Sequence, residues 1–395
     1  MIDRHTHYPQ SPGIWDVVPA LLNSLRPSSD AQPVATTSLQ LPQAGSGMVI
    51  LVDGLGIRQL VAYSSYAPTL RQMLTRQGDH AAATGGAPTE ISTVLPTTTA
   101  SALTSMATGL LPGRHGLVGY DSFDPDRGQV INQLGSWDPE VNPEQWQPHP
   151  TLFESVQAPL EAVTVSLPEF ADSGLTRAGL RGPRFVGARS LGARFHKALT
   201  ELQRPGALVY LYIPELDKAG HRHGVGSAEW IEVLEAIDSH MRRLRRKLST
   251  IGHPVNVLLT ADHGMVTIAP ADRLDTREHS ELYDGVLHTA GEPRFFQLYF
   301  APEADDSHRR EIQQRWEKIY GEVAIVISRD RAEHDGWFGP LEPRVVPRIG
   351  DLLVVAQSDI ALYDSLRASA MSWEIWGHHG STTDDERLVP LLVID

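Results

Sequence analysis

Three times the chain runs through a largely apolar stretch and then reaches acidic residues. Residues 48–52 (Met-Val-Ile-Leu-Val) lead into Asp53-Gly54. Residues 207–213 lead into Pro214-Glu215-Leu216-Asp217, and residues 255–259 into Thr260-Ala261-Asp262-His263-Gly264. A continuous apolar run, without polar alternation, suits a strand covered on both faces, as in a parallel sheet. Residues 351–356 and 388–394 are further strand candidates, and helical patterns lie between the runs, notably at 227–249 and 100–108. Strands separated by helices predict an α/β layered fold with a mostly parallel central sheet flanked by helices. Ligands of such sheets bind beyond the carboxyl ends of the strands. All three runs carry Asp or His just past that end.

Around this core the sequence divides as follows. Residues 14–25 read as a short amphipathic helix, and residues 27–47, rich in Pro, Ser, Thr and Gln, as a linker. Segment 1–46 is expected to pack on a catalytic core made of 47–269 and 351–395. Residues 270–350 are less regular, with a strand at 294–300 and a helix at 307–320, and are expected to form an inserted cap or lid.

Composition narrows the function. The 395 residues carry a net charge of -14, with 21% charged and 41% hydrophobic residues, as in soluble globular proteins. The one dense basic run, Arg242, Arg243, Arg245, Arg246 and Lys247, falls late in a helical pattern, where cations suit the helix C-terminus. It reads as a solvated face, so no nucleic-acid polymer is expected as a partner. The absence of cysteine excludes disulfides, thiolate ligands and a cysteine-derived nucleophile. Residues 1–10 are polar, unlike a signal peptide. No apolar run approaches the ~20 residues that span a bilayer. The expectation is a cytoplasmic protein with no membrane partner, and the sequence leaves its oligomeric state open.

The residues past the strands have the chemistry of metal ligands. Asp53 alone would read as a turn residue. Asp217 and His221 are four apart, on one side of a helical turn, Asp262 and His263 are adjacent, and His378-His379-Gly380 adds imidazoles late in the chain. Asp53, Asp217, His221, Asp262, His263 and His379 together offer three carboxylates and three imidazoles, a donor set for two divalent metals. Such donors suit zinc, with manganese or cobalt as substitutes. A nucleophile candidate lies in Leu95-Pro96-Thr97-Thr98-Thr99-Ala100-Ser101-Ala102-Leu103, where hydroxyl residues precede a helix ending at Gly109. Helix N-termini bind anions, although Ser or Thr there is more often a plain cap.

In order and spacing these elements resemble the nucleotide pyrophosphatase/phosphodiesterase branch of the alkaline phosphatase superfamily. The resemblance rests on Val52-Asp53-Gly54, on Leu-Pro-Thr-Thr-Thr followed by Thr-Gly-Leu-Leu-Pro-Gly-Arg-His-Gly at 108–116, on the segment 214–221, on 260–265 and on His379-Gly380. It covers the chain from about residue 47 onward. It implies a bimetal site, usually zinc, with Asp217, His221 and His379 on one metal and Asp53, Asp262, His263 and the nucleophile Thr99 around the other. Thr98 is the alternative register for the nucleophile, and His378 the alternative to His379. His115 is read as structural, and His223 as lying behind the ligands or facing solvent. The pattern departs from the family after the nucleophile. Ala100-Ser101-Ala102 stand where members commonly carry Phe-Pro-Asn, so the asparagine contact to the phosphoryl oxygen is missing or supplied elsewhere.

The resemblance therefore implies a phosphodiesterase or nucleotide pyrophosphatase acting on a small phosphate ester through a phospho-threonine, with the Ala100 amide donating to the phosphoryl group. A phosphomonoesterase on the same scaffold is the alternative; Arg58, Arg114 and Arg294 are candidate cations for its extra charge. A catalytically silent binding protein that kept the fold is the other.

Overall fold

The computed structural model describes residues 12–26, 36–84, 86–135 and 137–394. Two sheets organise them. The strands, in chain order, are β1 (Ser46–Val52), β2 (Glu90–Ser92), β3 (Glu161–Ser166), β4 (Arg184–Gly187), β5 (Ala207–Ile213), β6 (Val255–Thr260), β7 (Val286–Glu292), β8 (Phe295–Phe300), β9 (Ala324–Ser328), β10 (Leu352–Ala356) and β11 (Leu388–Ile394). The larger sheet has the order β2-β11-β6-β1-β5-β3-β4. Its members β6, β1, β5, β3 and β4 are parallel, while β11 runs antiparallel between β6 and β2. The aliphatic runs are its centre: every residue of β1 and β5 is buried. The helices used below are α1 (Val17–Ser24), α2 (Thr99–Thr108), α3 (Leu191–Leu202), α4 (Glu215–His223), α5 (Ala228–Leu248) and α6 (Asp306–Tyr320).

Register explains why the three acidic termini meet. Val52 pairs with Ile213 across β1 and β5, and Leu51 with Thr260 across β1 and β6. The strands therefore end side by side, and the first residues past them emerge at one edge of the sheet.

Several expectations change at this level. The amphipathic helix expected at 14–25 is a 3-10 turn (Ile14–Asp16) followed by α1, and both are buried nearly all round. The Asp16 side chain accepts from the amides of Gly13 (3.0 Å) and Ser38 (2.9 Å), which draws the returning chain onto the core. Residues 27–35 of the expected linker and the N-terminal stretch 1–10 lie outside the described residues. The basic run falls on α5 as expected: Met241, Leu244 and Leu248 are buried, with Arg245, Arg246 and Lys247 in the last turn. No described helix is long and apolar enough to cross a membrane.

The region 270–350 is more regular than its sequence suggests. It contributes three strands to a second sheet of order β7-β8-β10-β9, with a core of its own that includes Phe296, Leu298, Trp316 of α6, Leu352 and Val354. Strand β10 belongs to this sheet, because it pairs antiparallel with β8 and β9. The chain thus rejoins the large sheet only at β11, later than the boundary at 351 read from sequence. An apolar run shows that a strand is buried but not which neighbours bury it.

A buried ion pair fastens the small sheet to the large one. Arg294, in the turn between β7 and β8, donates Nε to Glu386 Oε1 at 2.9 Å and Nη2 to Glu386 Oε2 at 2.8 Å. The two side chains are 1% and 0% exposed. Arg294 Nη1 also donates to the carbonyls of Ser358 and Ile360. Removing the cation would strand a dehydrated carboxylate, so Arg294→Ala is expected to cost about 3–5 kcal/mol in urea unfolding. A loss below about 1 kcal/mol would show that the pair holds nothing together.

Candidate metal and phosphoryl site

Asp53 follows β1 directly, Asp217 lies in the first turn of α4 after β5, and Asp262-His263 follow β6. Gly54 makes their approach possible. It has φ +74, and a Cβ there would sit 3.1 Å from the Cβ of Asp217, so a side chain would be both strained and obstructed. His379 arrives from the opposite side, on the loop that precedes β11.

The six candidate ligands form two groups. The donor atoms of Asp217, His221 and His379 lie within 4.8 Å of one another, as do those of Asp53, Asp262 and His263. The rings of His263 and His379 stack 3.6 Å apart, so the two groups adjoin. Each imidazole is oriented by a backbone carbonyl on Nδ1: His221 by Gly377 at 2.7 Å, His263 by Gly264 at 3.0 Å, His379 by Thr97 at 2.8 Å. With the proton on Nδ1, Nε2 keeps its lone pair, the arrangement found behind metal-bound histidines. The carboxylates are similarly set. Asp262 Oδ1 accepts from the amides of Gly54 (3.2 Å) and His263 (3.1 Å), and Tyr212 donates its hydroxyl to Asp53 Oδ2. Asp53 Oδ1, Asp217 Oδ1 and Asp262 Oδ2 are buried without a hydrogen-bond partner. Three buried carboxylate oxygens left unbonded beside three imidazole Nε2 atoms fit divalent cations.

The electrostatics agree with this fit. Burial, then the charges of Asp262 and Asp217, push the Asp53 carboxyl well above its ordinary value, against the Tyr212 hydrogen bond. Burial, then His263 and His221, drive the His379 imidazole well below its own. A site that strains toward neutrality in this way is one that external positive charge would relieve.

Thr99 is the first residue of α2. Thr98 is its cap, in extended conformation and with no side-chain capping bond, which leaves the amides of the first turn for another acceptor. Thr99 Oγ1 lies 3.2 Å from His263 Nε2. Thr97 ties this turn to the His379 loop: its amide donates to the Gly380 carbonyl at 3.1 Å, and its hydroxyl accepts from the Gly380 amide at 2.9 Å. All ten residues of α2 are buried, Ala100 and Ala102 included. The helix ends at Gly109 with φ +70, a left-handed stop that favours glycine.

The other candidates lie elsewhere. His378 turns to the Tyr363 hydroxyl, 2.7 Å away. His115 bonds Ser105 at 2.8 Å, accepts the Leu117 amide, and is pushed by burial to a pKa of about 3. His223 is 3.9 Å from Glu229. The arginines considered for a phosphomonoester are committed to carboxylates: Arg58 to Asp384, Arg114 to Glu342 at 3.7 Å, and Arg294 to Glu386.

Asp53, Asp217, His221 and His379, with Thr99, open on a cavity of about 780 Å³. Leu103, Phe170, Leu175, Phe185 and Tyr210 give it an apolar wall, with Lys218, Asp121 and Arg367 among its charged lining. Arg367 is paired with Asp121. Tyr210, Tyr212 and Glu292 are among the lining residues that escaped the sequence reading. Tyr210 and Tyr212 are hidden in a strand that reads as purely apolar; two tyrosines at period two near its carboxyl end were the available signal. Glu292 ends β7 as the middle residue of Gly291-Glu292-Pro293, and nothing local marks it. It is 5% exposed, and its Oε2 accepts from the Tyr120 amide at 2.8 Å. Burial pushes its carboxyl up to about 8, with the Asp121 and Glu386 charges acting the same way and the Tyr120 amide and Thr98 hydroxyl opposing.

The folded protein therefore holds a proton on Glu292 that the unfolded chain releases near the ordinary 4.5. Stability from this group is fully present below that value and is lost as pH rises to about 8. Thermal scans should show the parent protein losing ground to Glu292→Gln between about pH 5 and about pH 8. Parallel curves would show that Glu292 ionises normally.

Residues 48–382 match the family model described as type I phosphodiesterase/nucleotide pyrophosphatase. The chain is 28% identical to venom phosphodiesterase 2 of Crotalus adamanteus over 237 residues, which is 57% of this chain and 27% of the relative. It thus spans only about a quarter of the length of such curated relatives. Among solved structures it is similar to murine ectonucleotide pyrophosphatase/phosphodiesterase 5 in an inactive threonine-to-alanine form in complex with AMP, with TM-score 0.62, 16% identity, and 87% and 86% of the two chains covered. It is also similar to phosphonoacetate hydrolase from Sinorhizobium meliloti 1021 in complex with phosphonoacetate, with TM-score 0.67, 20% identity, and 91% and 92% covered. At these identities the structural likenesses establish the alkaline-phosphatase-like fold.

Proposed function

Because this chain belongs to the type I phosphodiesterase/nucleotide pyrophosphatase family, we propose that it hydrolyses small phosphodiesters or nucleotide anhydrides with Thr99 as nucleophile. The observation that carries this reading is the position of the Thr99 hydroxyl, at the amide end of a buried helix and 3.2 Å from His263 Nε2, beside both ligand groups. The threonine-to-alanine form of the murine neighbour, described as inactive, supports the choice of residue type.

Asp217, His221 and His379 would hold one divalent cation, and Asp53, Asp262 and His263, with the Thr99 oxygen, the other. Zinc suits these donors, with manganese or cobalt as substitutes; when bound, the cations would supply Lewis acidity at the nucleophile and neutralise charge on the leaving oxygen. The chain's own groups do the rest. Thr99 Oγ1 attacks phosphorus, the bond from phosphorus to the leaving oxygen breaks, and a phospho-threonine forms. The Ala100 amide, in the first turn of α2, donates to a nonbridging oxygen as charge builds there. Water then cleaves the phospho-threonine, restoring the hydroxyl and releasing the phosphoryl product.

The commitment of Arg58, Arg114 and Arg294 to carboxylates supports a singly charged diester over a doubly charged monoester. The gathering of six candidate ligands, with Asp53, Asp262 and His263 buried, supports an enzyme over a silent binding protein, since unmetallated they would be costly to keep.

After zinc loading, the parent is expected to turn over bis(4-nitrophenyl) phosphate faster than 4-nitrophenyl phosphate. Thr99→Ala is expected to lose at least about 10³-fold in kcat on the diester. Activity near the parent's in that variant would remove Thr99 from the mechanism, and faster monoester turnover would move the chain to the phosphomonoesterase reading.

A further inference from the structure

Glu292 lines the cavity and belongs to neither ligand group. It reaches this place from the small sheet. Its backbone closes β7, and its side chain crosses to the loop that carries His379. Gly380 leaves room for the crossing: with φ +133, it has no Cβ, and one built there would lie 2.6 Å from Glu292 Cγ. The far side is occupied by the turn before α2, where the Thr98 hydroxyl is near enough to act on the carboxyl. The carboxyl is thus wedged between the His379 loop and the cap of the Thr99 helix.

Its two oxygens are used unequally. Oε2 accepts the Tyr120 amide at 2.8 Å, whereas Oε1 is buried and has no hydrogen-bond partner. Among the described residues no arginine or lysine forms an ion pair with Glu292. An unpaired, dehydrated carboxylate is costly, whereas a carboxylic acid in the same place has one O–H to give and keeps its acceptor for Tyr120. The three residues that follow Thr99 offer no free side-chain donor. Ala100 and Ala102 have only methyl groups, and the Ser101 hydroxyl donates to the Leu117 carbonyl at 2.8 Å.

We propose that Glu292, as a neutral acid, donates a hydrogen bond from its free oxygen to a nonbridging oxygen of the phosphoryl group bound at Thr99, and is a specificity-determining residue of this site. This rests on the function proposed above and adds one donor to it. The Ala100 amide and the Glu292 acid then grip different nonbridging oxygens, one from the large sheet's helix and one from the small sheet. A neutral donor can bond a singly charged diester without a balancing cation, and the arginine that lines the cavity, Arg367, is paired with Asp121.

The test compares Glu292→Ala and Glu292→Gln in the zinc-loaded full chain. Glutamine keeps an N–H donor on the same skeleton, and alanine removes it. Glu292→Ala is expected to lose about 10²–10³-fold in kcat on bis(4-nitrophenyl) phosphate, and Glu292→Gln less than about tenfold, with zinc content equal to the parent's in both. A glutamine variant as impaired as alanine, or an alanine variant as active as the parent, would overturn the donor role. A second readout is calorimetric binding of the same diester to Thr99→Ala protein, with and without Glu292→Ala. Weaker binding in the double variant supports the contact even if the parent hydrolyses no ester; equal binding overturns it even if Thr99 proves to be the nucleophile.

Discussion

Everything at the carboxyl edge of the large sheet answers to one electrostatic difficulty. Asp53, Asp217 and Asp262 converge there with three imidazoles, and Asp53 and Asp262 are almost wholly buried. Three carboxylates cannot share a dehydrated space as anions unless positive charge joins them. None of the arginines that might have served is available, because each is engaged by a carboxylate of its own. The details of the site read as provision for charge brought from outside. The Nδ1 atoms are tied to carbonyls, one oxygen of Asp53 and one of Asp262 are tied to a hydroxyl or to amides, and the other oxygen of each of these carboxylates has no hydrogen-bond partner.

The same difficulty explains how the two sheets depend on each other. His379 lies on a loop that the large sheet alone does not fix. Thr97 grips it at Gly380, from the turn that presents Thr99. Glu386 grips it at Ser381, whose amide donates to Glu386 Oε1 at 2.9 Å, while the same carboxylate receives Arg294 from the small sheet. One buried ion pair therefore joins β7 and β8 to a ligand loop, and Glu292, two residues before Arg294, is carried to the cavity by the same turn. The small sheet helps to build the candidate site as well as to wall its cavity.

The cavity is asymmetric in its chemistry. Its ligand end is charged and tightly bonded, and its far wall is aliphatic and aromatic. This suits a substrate with a compact anionic centre and a larger, less polar remainder. In such a site orientation comes from the phosphoryl end, where fixed amides and hydroxyls do not have to reorganise as charge develops.

The sequence by itself determined the parallel core, the six candidate ligands and the helix that presents Thr99. These are legible because each is local. A strand buried on both faces must be continuously apolar, a metal needs particular donor atoms just past the strand ends, and a helix start needs its cap. The chain's order of Asp53, Thr99, Asp217-x-x-x-His221, Asp262-His263 and His379-Gly380 carried the family resemblance for the same reason. What only the tertiary structure decided is a matter of neighbours. Residues 352–356 are as apolar as any core strand, and nothing in them says that β8 and β9, not the large sheet, will be their partners. Arg294 reads as a free cation until Glu386, far along the chain, closes on it. Tyr212 and Glu292 are single polar residues in apolar or turn contexts, and they gain meaning from what faces them across a sheet edge. Local pattern fixes which surfaces must be buried; which groups end up facing each other is set by long-range packing, which no window of sequence contains.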